Sequence, residues 1–309
     1  MILLEREPSV RLACYELLRS HVSLSHPKSS MIHDEISLLQ AGAFGEERVD
    51  QAMQPFSSER FLAFRNVVFP FAGETVQIDH LFITPSFALI IETKNTKGHL
   101  KLDIENEQMY REKDGEIQCF AHPVLQVERQ AEGLATVLSR LGIKLPIFQL
   151  VVFTHSHVFL ESTGADRSLP PEICRMERLA VRVRKMVHKQ HKQAIYSTKQ
   201  LLEIGHQLLA ERVPELLYDV MRKFGLETKD LICGVWCKHC ERLSMKWIAQ
   251  KWRCVWCQSK DDQAYKRALE VYFRFISPTI SNQQARRFLG VRSPDTMRRL
   301  LLSMNLKTC

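Results

Sequence analysis

Two apolar runs, Val76 to Ile83 and Ala88 to Ile91, flank the turn-forming residues Thr84-Pro85-Ser86-Phe87 and predict a β-hairpin over 76–94. A symmetric turn sets a register in which Asp79 faces Glu92, and Lys94 follows two residues on, on the Glu92 face. Upstream, Val10, Cys14, Leu17 and Leu18 mark one side of a helix from Pro8 to Val22, before a Ser/His/Pro loop at 23–30. A second helix runs from about His33 to Gln54, with Ile36, Leu39, Ala43, Val49 and Met53 on one stripe. Its Gly42 and Gly45 are costly in a helix unless something packs closely against them, and Glu46 rides with that approach toward the hairpin. Arg60 to Pro70 reads as a strand leading into the hairpin.

Beyond Lys94, Asn95 to Gly98 makes a turn. Short polar strands follow around Asp103, Tyr110 and Gln118, with Lys113-Asp114-Gly115 as a tip. Pro123 opens a helix to about Leu141 whose stripe is Val124, Val127, Ala131, Leu134, Val137, Leu138 and Leu141, with Gln126 and Gln130 one turn apart. Ile147 to Thr154 is a buried-type strand. A loop at Glu161–Pro171 precedes helices at about 175–190, 198–211 and 214–225. The order of elements predicts an α/β fold, a mixed sheet flanked by helices.

The 309 residues are enough for one large domain and one or two small ones, and 45% apolar with 25% charged residues is the composition of a soluble globular protein. No apolar run is long enough to span a bilayer, and the start, MILLEREPS, lacks the pattern of a signal peptide. Nine cysteines, four of them in two C-x-x-C pairs, point to a reducing compartment; the expectation is a cytoplasmic protein with no membrane partner. From Lys229 onward there are 16 Lys/Arg against 6 Asp/Glu, a net +10, which leaves −2 for the rest. The basic quarter is where a polyanion partner is expected.

Opposed carboxylates at Asp79 and Glu92, amid aliphatic residues, repel unless a cation sits between them. Mg²⁺ takes oxygen ligands and suits the place. With the Lys94 ammonium, the set has what metal-assisted attack of water on a phosphodiester requires. Cys237-Lys-His-Cys240 and Cys254-Val-Trp-Cys257, with a hairpin-like segment between, have the spacing of a zinc ribbon holding a structural Zn²⁺; Cys233 and His239 are less well placed. Trp236, Trp247, Trp252 and Trp256 among Lys246, Lys251 and Arg253 mix aromatic and basic groups as nucleic-acid-stacking surfaces do, although some must form the module's core. Ser281 with Gln284 caps a helix that ends at Gly290, and Ser293-Pro294 opens another that carries Arg298 and Arg299; with a helix at 264–276 this tail resembles a helix-turn-helix. The stretch with Arg175, Arg178, Arg182, Arg184, Lys185, Lys189 and Lys192 is basic, as solvated helix faces also are. Residues 1–30 show no chemistry, and His21, His26 and His33 read as surface residues.

Gly45-Glu46, Gln77-Ile78-Asp79, the run Ile91-Glu92-Thr93-Lys94-Asn95, Gly98, Pro123 and Gln126 together resemble the NERD (nuclease-related) domain over about residues 40–155. That family belongs to the PD-(D/E)xK nucleases, with the fold of type II restriction endonucleases. The resemblance implies that Asp79 and Glu92 bind the metal and that Lys94 orients and activates water. It also implies that Glu46 is a helix-borne acid and Gln126 a further active-site group. The chain departs little from the family pattern: no Pro precedes Asp79, as is usual for the NERD form, and nothing in the catalytic set is missing. The order of nuclease core, zinc ribbon and helical tail resembles a bacterial subgroup of these proteins. The expected organisation is an N-terminal helix and loop (1–30), the nuclease-like core (31–158), a helical extension (159–228), the zinc ribbon (229–260) and the helical tail (261–309). The expected activity is Mg²⁺-dependent cleavage of nucleic acid, DNA in particular. The rival from a different class is a non-catalytic DNA-binding regulator that reads DNA through the ribbon and tail.

Overall fold

The computed structural model describes residues 1–56, 61–113, 115–163, 168–190, 194–215 and 219–306. The chain opens with strand β1 (Ile2–Leu4), then helices α1 (Val10–His21) and α2 (Ser29–Met53). Next come β2 (Leu62–Phe71), β3 (Glu74–Ile83), β4 (Ala88–Lys94), β5 (Gly98–Asp103), β6 (Gln108–Lys113) and β7 (Glu116–Ala121). They are followed by α3 (Pro123–Arg140), β8 (Ile147–Phe153), β9 (Val158–Ser162), β10 (Ile173–Arg175), α4 (Met176–Gln190) and α5 (Thr198–Glu211). The rest is α6 (Val220–Phe224), β11 (Val235–Cys237), β12 (Arg242–Ile248), β13 (Lys251–Cys254), α7 (Ala264–Phe275), α8 (Asn282–Leu289) and α9 (Pro294–Leu302).

Two compact units divide the chain: 1–7 with 40–216, and 8–39 with 217–309. They group residues differently from the linear blocks expected above, because α2 contributes to both and β1 joins the first. The first unit is a mixed α/β structure built on a sheet in the order β1-β2-β3-β4-β8-β10. β2, β3 and β4 run antiparallel in turn, whereas β4 pairs with β8, and β8 with β10, in parallel. β4 is buried from Ala88 through Glu92, as an apolar run covered on both faces should be. The stripe of α3 (Val127, Leu134, Val137, Leu138) belongs to one core with Ile78, Ile90 and Val151, and each such side chain contributes about 1.5–3 kcal/mol on burial. A second sheet, β7-β6-β5-β9, joins this unit.

Several expectations need correction. The second helix begins at Ser29, four residues before His33, and absorbs part of the expected loop. The expected loop at Glu161–Pro171 begins inside β9, because Val158–Ser162 pairs in parallel with β5; residues 164–167 lie outside the described ones. The three-residue strands β1 and β10 escape any periodicity argument, since no pattern repeats within three residues. Val10 is exposed, so the buried side of α1 is Cys14, Leu17 and Leu18. The helix expected at 214–225 is confined to Val220–Phe224, with 216–218 outside the described residues, as are Arg60, Asp114 and Lys192.

In the second unit, α1 packs in one core with Ile32, Ile36, Val220, Phe224 and Leu231. The sheet β11-β12-β13 shares another core with α7, α8 and α9, built around Trp252, Leu269, Phe288 and Met297. The caps of the tail follow the sequence: Ser281 accepts from the Gln284 N–H at 3.2 Å, and Gly290 ends α8 in the left-handed conformation at φ +72°. Ser293 caps α9 through the Thr296 N–H, also at 3.2 Å. His21 is not a surface residue. It is fully buried, with Nδ1 2.8 Å from Ser20 Oγ and its ring stacked 5.6 Å from Phe288. Burial, against hydrogen bonds to the backbone, pushes its pKa down to about 4, so the ring is neutral and serves as packing. Among the described residues no helix is long and apolar enough to cross a membrane.

Candidate functional site

The β3–β4 turn is locked by Thr84. Its N–H donates to the Phe87 carbonyl at 2.9 Å, and its Oγ1 accepts the Phe87 N–H at 3.0 Å. His80 then pairs with Ile91 and Leu81 with Ile90, so the hairpin adopts the expected register and the next positions along it are Asp79 and Glu92. On the other side, Arg65 pairs with His80 and Val67 with Ile78. Asn66, in register with Asp79, takes a left-handed backbone at φ +50°, a conformation Asn tolerates better than most residues.

The carboxylates meet at this end of the hairpin. Asp79 accepts the Thr93 N–H at 3.0 Å. Burial, then the charges of Glu92 and Glu46, push its pKa well above the usual carboxylate range, against that hydrogen bond and the Lys94 charge. Glu92, 3% exposed, accepts from Lys94 Nζ at 2.7 Å through Oε1 and from Gln130 Nε2 at 2.7 Å through Oε2. Lys94 also donates to Gln126 Oε1 at 2.6 Å. Glu46 arrives on α2 because Gly45 lets the helix close on its neighbours: a Cβ there would meet Thr154 Oγ1 at 2.7 Å and Asn95 Cβ at 2.8 Å. A Cβ at Gly42 would meet nothing within 4 Å among the described residues, so of the two glycines the second serves the close approach. Burial raises the Glu46 pKa, with the Arg6 charge and a hydrogen bond involving Asn66 opposing it. Thus Glu46, Asp79, Glu92, Lys94 and Gln126 come together.

Two groups escaped the sequence reading. Gln130, 2% exposed, donates through Nε2 to Glu92 and to the Gln77 carbonyl at 2.9 Å, while its Oε1 has no partner among the described residues. Its place one turn after Gln126 was the available signal. The second is Arg6, from a segment expected to carry no chemistry. Its Nη1 donates to Glu46 and to Asn66 Oδ1 at 2.7 Å, and its Nε donates to Asp50 at 3.1 Å. Asp50 in turn faces His80 Nδ1 at 3.0 Å and Arg65 Nε at 3.1 Å. Burial would raise Asp50, but the His80 and Arg6 contacts outweigh it and hold it low. Nothing local in the sequence marks Arg6.

A second centre lies in the second unit. Cys237, Cys240, Cys254 and Cys257 have all their sulfurs within 4.8 Å of one another. The Cys237–Cys257 and Cys240–Cys254 separations are 3.6 and 3.5 Å. Four ligands at Zn–S distance in a tetrahedron stand about 3.8 Å apart, so the set fits such an ion closely. Burial works against ionisation of Cys254, yet the Ser244 hydroxyl and the Cys257 and Trp256 N–H groups bring it down to about 6, toward the thiolate that a metal requires. Cys233 and His239 are not in the set. Trp252 is fully buried and so is core, while Trp256 is 68% exposed with Arg242 4.6 Å over its ring. Lys246 lies directly across the ladder from Arg253, and Lys251 across from Ile248. Arg298 and Arg299 are exposed on α9.

Residues 41–154 match the family model of NERD, the nuclease-related domain. No curated protein and no solved structure matches the chain. The matched stretch contains Glu46, Asp79, Glu92, Lys94, Gln126 and Gln130, and excludes Arg6, the four clustered cysteines and the tail.

Proposed function

We propose that the chain is a metal-dependent nuclease of the PD-(D/E)xK type acting on DNA in the cytoplasm, with its zinc ribbon (229–260) and helix-turn-helix-like tail (261–309) as DNA-binding modules. The observation that carries this is the gathering of Glu46, Asp79, Glu92, Lys94 and Gln126 at one end of a hairpin inside the nuclease-related match. A metal would suit the place: Asp79 and Glu92 repel each other, Asp79 has a raised pKa, and Gln130, whose amide nitrogen binds Glu92, is a buried side chain whose Oε1 has no partner among the described residues. Asp79 and Glu92 would hold Mg²⁺. When bound, it supplies Lewis-acid polarisation of a phosphoryl oxygen and of an attacking water. Lys94, aimed by Glu92 and Gln126, stabilises negative charge as it develops on the phosphate. Gln130 fixes the orientation of the Glu92 carboxylate.

The cysteine set would hold a structural Zn²⁺, since four thiolates leave no open position. Lys246, Lys251, Arg253, Arg298 and Arg299 would contact phosphates. The opposed pair Lys246/Arg253 supports this, because directly opposed like charges are destabilising until an anion joins them. Incubation of the purified protein with linear, circular and single-stranded DNA, with and without Mg²⁺, tests the reading. Cleavage is expected only with metal, and Asp79→Ala and Glu92→Ala should abolish it without unfolding the protein. Wild-type cleavage by either variant overturns the assignment. Tight DNA binding with no cleavage in any metal replaces it with the non-catalytic regulator.

A further inference from the structure

Arg6 lies outside the residues that match the nuclease-related domain, yet its guanidinium reaches into the acidic site. The planar fork is held on several sides: Nη1 serves Glu46 and Asn66, Nε serves Asp50, and Nη2 lies 3.4 Å from His80 Nδ1. Asn66 holds its side chain there from a left-handed backbone position in register with Asp79. Glu46 is therefore already bound to a cation supplied by the protein.

Two further observations bear on what this leaves for a metal. Among the described residues, the four cysteines are the only set of three or more His, Cys, Asp or Glu whose ligand atoms lie within 4.8 Å of one another. In this arrangement Glu46, Asp79 and Glu92 do not bring three ligand atoms that close together. The charges also decide the number. With Asp79 ionised, as a metal ligand must be, the carboxylates of Glu46, Asp50, Asp79 and Glu92 stand against Arg6, Arg65 and Lys94, which leaves one net negative charge. One divalent cation and the single charge of a phosphodiester bring that balance to zero. A second divalent cation would leave two uncompensated positive charges in a partly buried site, where screening is weak.

We propose that Arg6 is a positioning residue that keeps Glu46 as an ion pair away from the metal, so that the site takes one divalent cation, on Asp79 and Glu92. This rests on the metal-binding reading of those two residues.

The test is titration of the full, zinc-loaded chain with Mn²⁺ alone, followed by electron paramagnetic resonance, with no DNA and no turnover. Wild type is expected to bind one Mn²⁺ per chain. Glu46→Gln should change that affinity less than about tenfold, and Asp79→Asn should weaken it more than about tenfold. Arg6→Gln frees Glu46 and should admit a second Mn²⁺, while Arg6→Lys, which keeps the charge, should return the count to one. Two ions in wild type, loss of binding in Glu46→Gln, or a count of one in a folded Arg6→Gln overturns the inference and leaves the nuclease reading standing. No Mn²⁺ bound by wild type overturns both. If Arg6→Gln lacks a cooperative melt, the wild-type count and Glu46→Gln decide alone.

Discussion

Gly42 and Gly45 sit one turn apart on α2, and their substitutions should diverge sharply. Both lie in the helix interior, where alanine is favoured over glycine by roughly 0.5–1 kcal/mol, so this contribution is common to Gly42→Ala and Gly45→Ala. What differs is the space. At Gly42 the added methyl meets nothing within 4 Å, whereas at Gly45 it meets Thr154 Oγ1 at 2.7 Å and Asn95 Cβ at 2.8 Å. The Asn95 contact is close to its backbone, and Asn95 is tethered to the Ala41 carbonyl at 2.6 Å, so it cannot simply swing away. Overpacking of this kind costs about 1–3 kcal/mol. Gly42→Ala is therefore expected to stabilise by up to about 1 kcal/mol, and Gly45→Ala to lie about 1–3 kcal/mol below it. Urea denaturation of the two variants and the wild type, followed by circular dichroism, measures the difference directly because the propensity contribution cancels. Equal midpoints for the two variants would refute the claim that α2 closes on the β4 and β8 ends at Gly45, and with it the account of how Glu46 reaches the site.

Four other outcomes are expected. Gln130→Leu strips a donor from Glu92 Oε2 and Gln77 O and should cost about 1–3 kcal/mol in a denaturation midpoint, whereas exposed Gln126→Leu should cost much less. In chelator, Asp79 binds its proton more tightly folded than unfolded, so its contribution to stability falls as pH rises from the unfolded carboxylate value through its raised folded pKa; Asp79→Asn should remove that part of the pH dependence of thermal stability. Elemental analysis should find about one zinc per chain, and Cys257→Ser should lose it and broaden the melting of residues 235–297, since the cysteine sheet and α7–α9 share one core. Arg298→Ala with Arg299→Ala should weaken DNA binding and reduce the slope of log affinity against log salt by about 1.8, with no change in thermal stability because both side chains are exposed.

What the sequence made legible was local. The hairpin register followed from one turn and two apolar runs, and it brought Asp79, Glu92 and Lys94 to one end without any long-range assumption. The cysteine knuckles, the Ser281 and Ser293 caps and the Gly290 stop were equally visible, because each is a spacing of two to four residues with a defined bonding role. What remained hidden was non-local. Arg6 reaches Glu46 across forty positions and approaches His80 across seventy-four, and no periodicity joins residues so far apart. His21 misled for another reason: a polar ring at the end of an amphipathic helix reads as surface until a stacking partner, here Phe288, arrives from the far end of the chain.

The same non-locality bears on how the basic quarter can be tested. A chain ended before Lys229 is the direct way to ask whether the tail grips DNA, since the net +10 lies from that point onward. Yet Leu17 of α1 is packed in the core with Trp252, Leu269 and Met297, and Cys14 accepts from Arg274 at 2.8 Å. The truncation would uncover that face of α1 together with Leu231's partners Val22 and Ile32, adding exposed apolar surface to whatever DNA contacts it removes. Any loss of affinity would then mix unfolding with lost phosphate contacts. The salt slope separates them, because misfolding lowers affinity at every salt concentration while each lost phosphate contact lowers the slope by a fixed amount. Point substitutions at exposed Arg298 and Arg299 in the full chain, with the slope as the readout, are therefore the sharper measure of what the tail contributes.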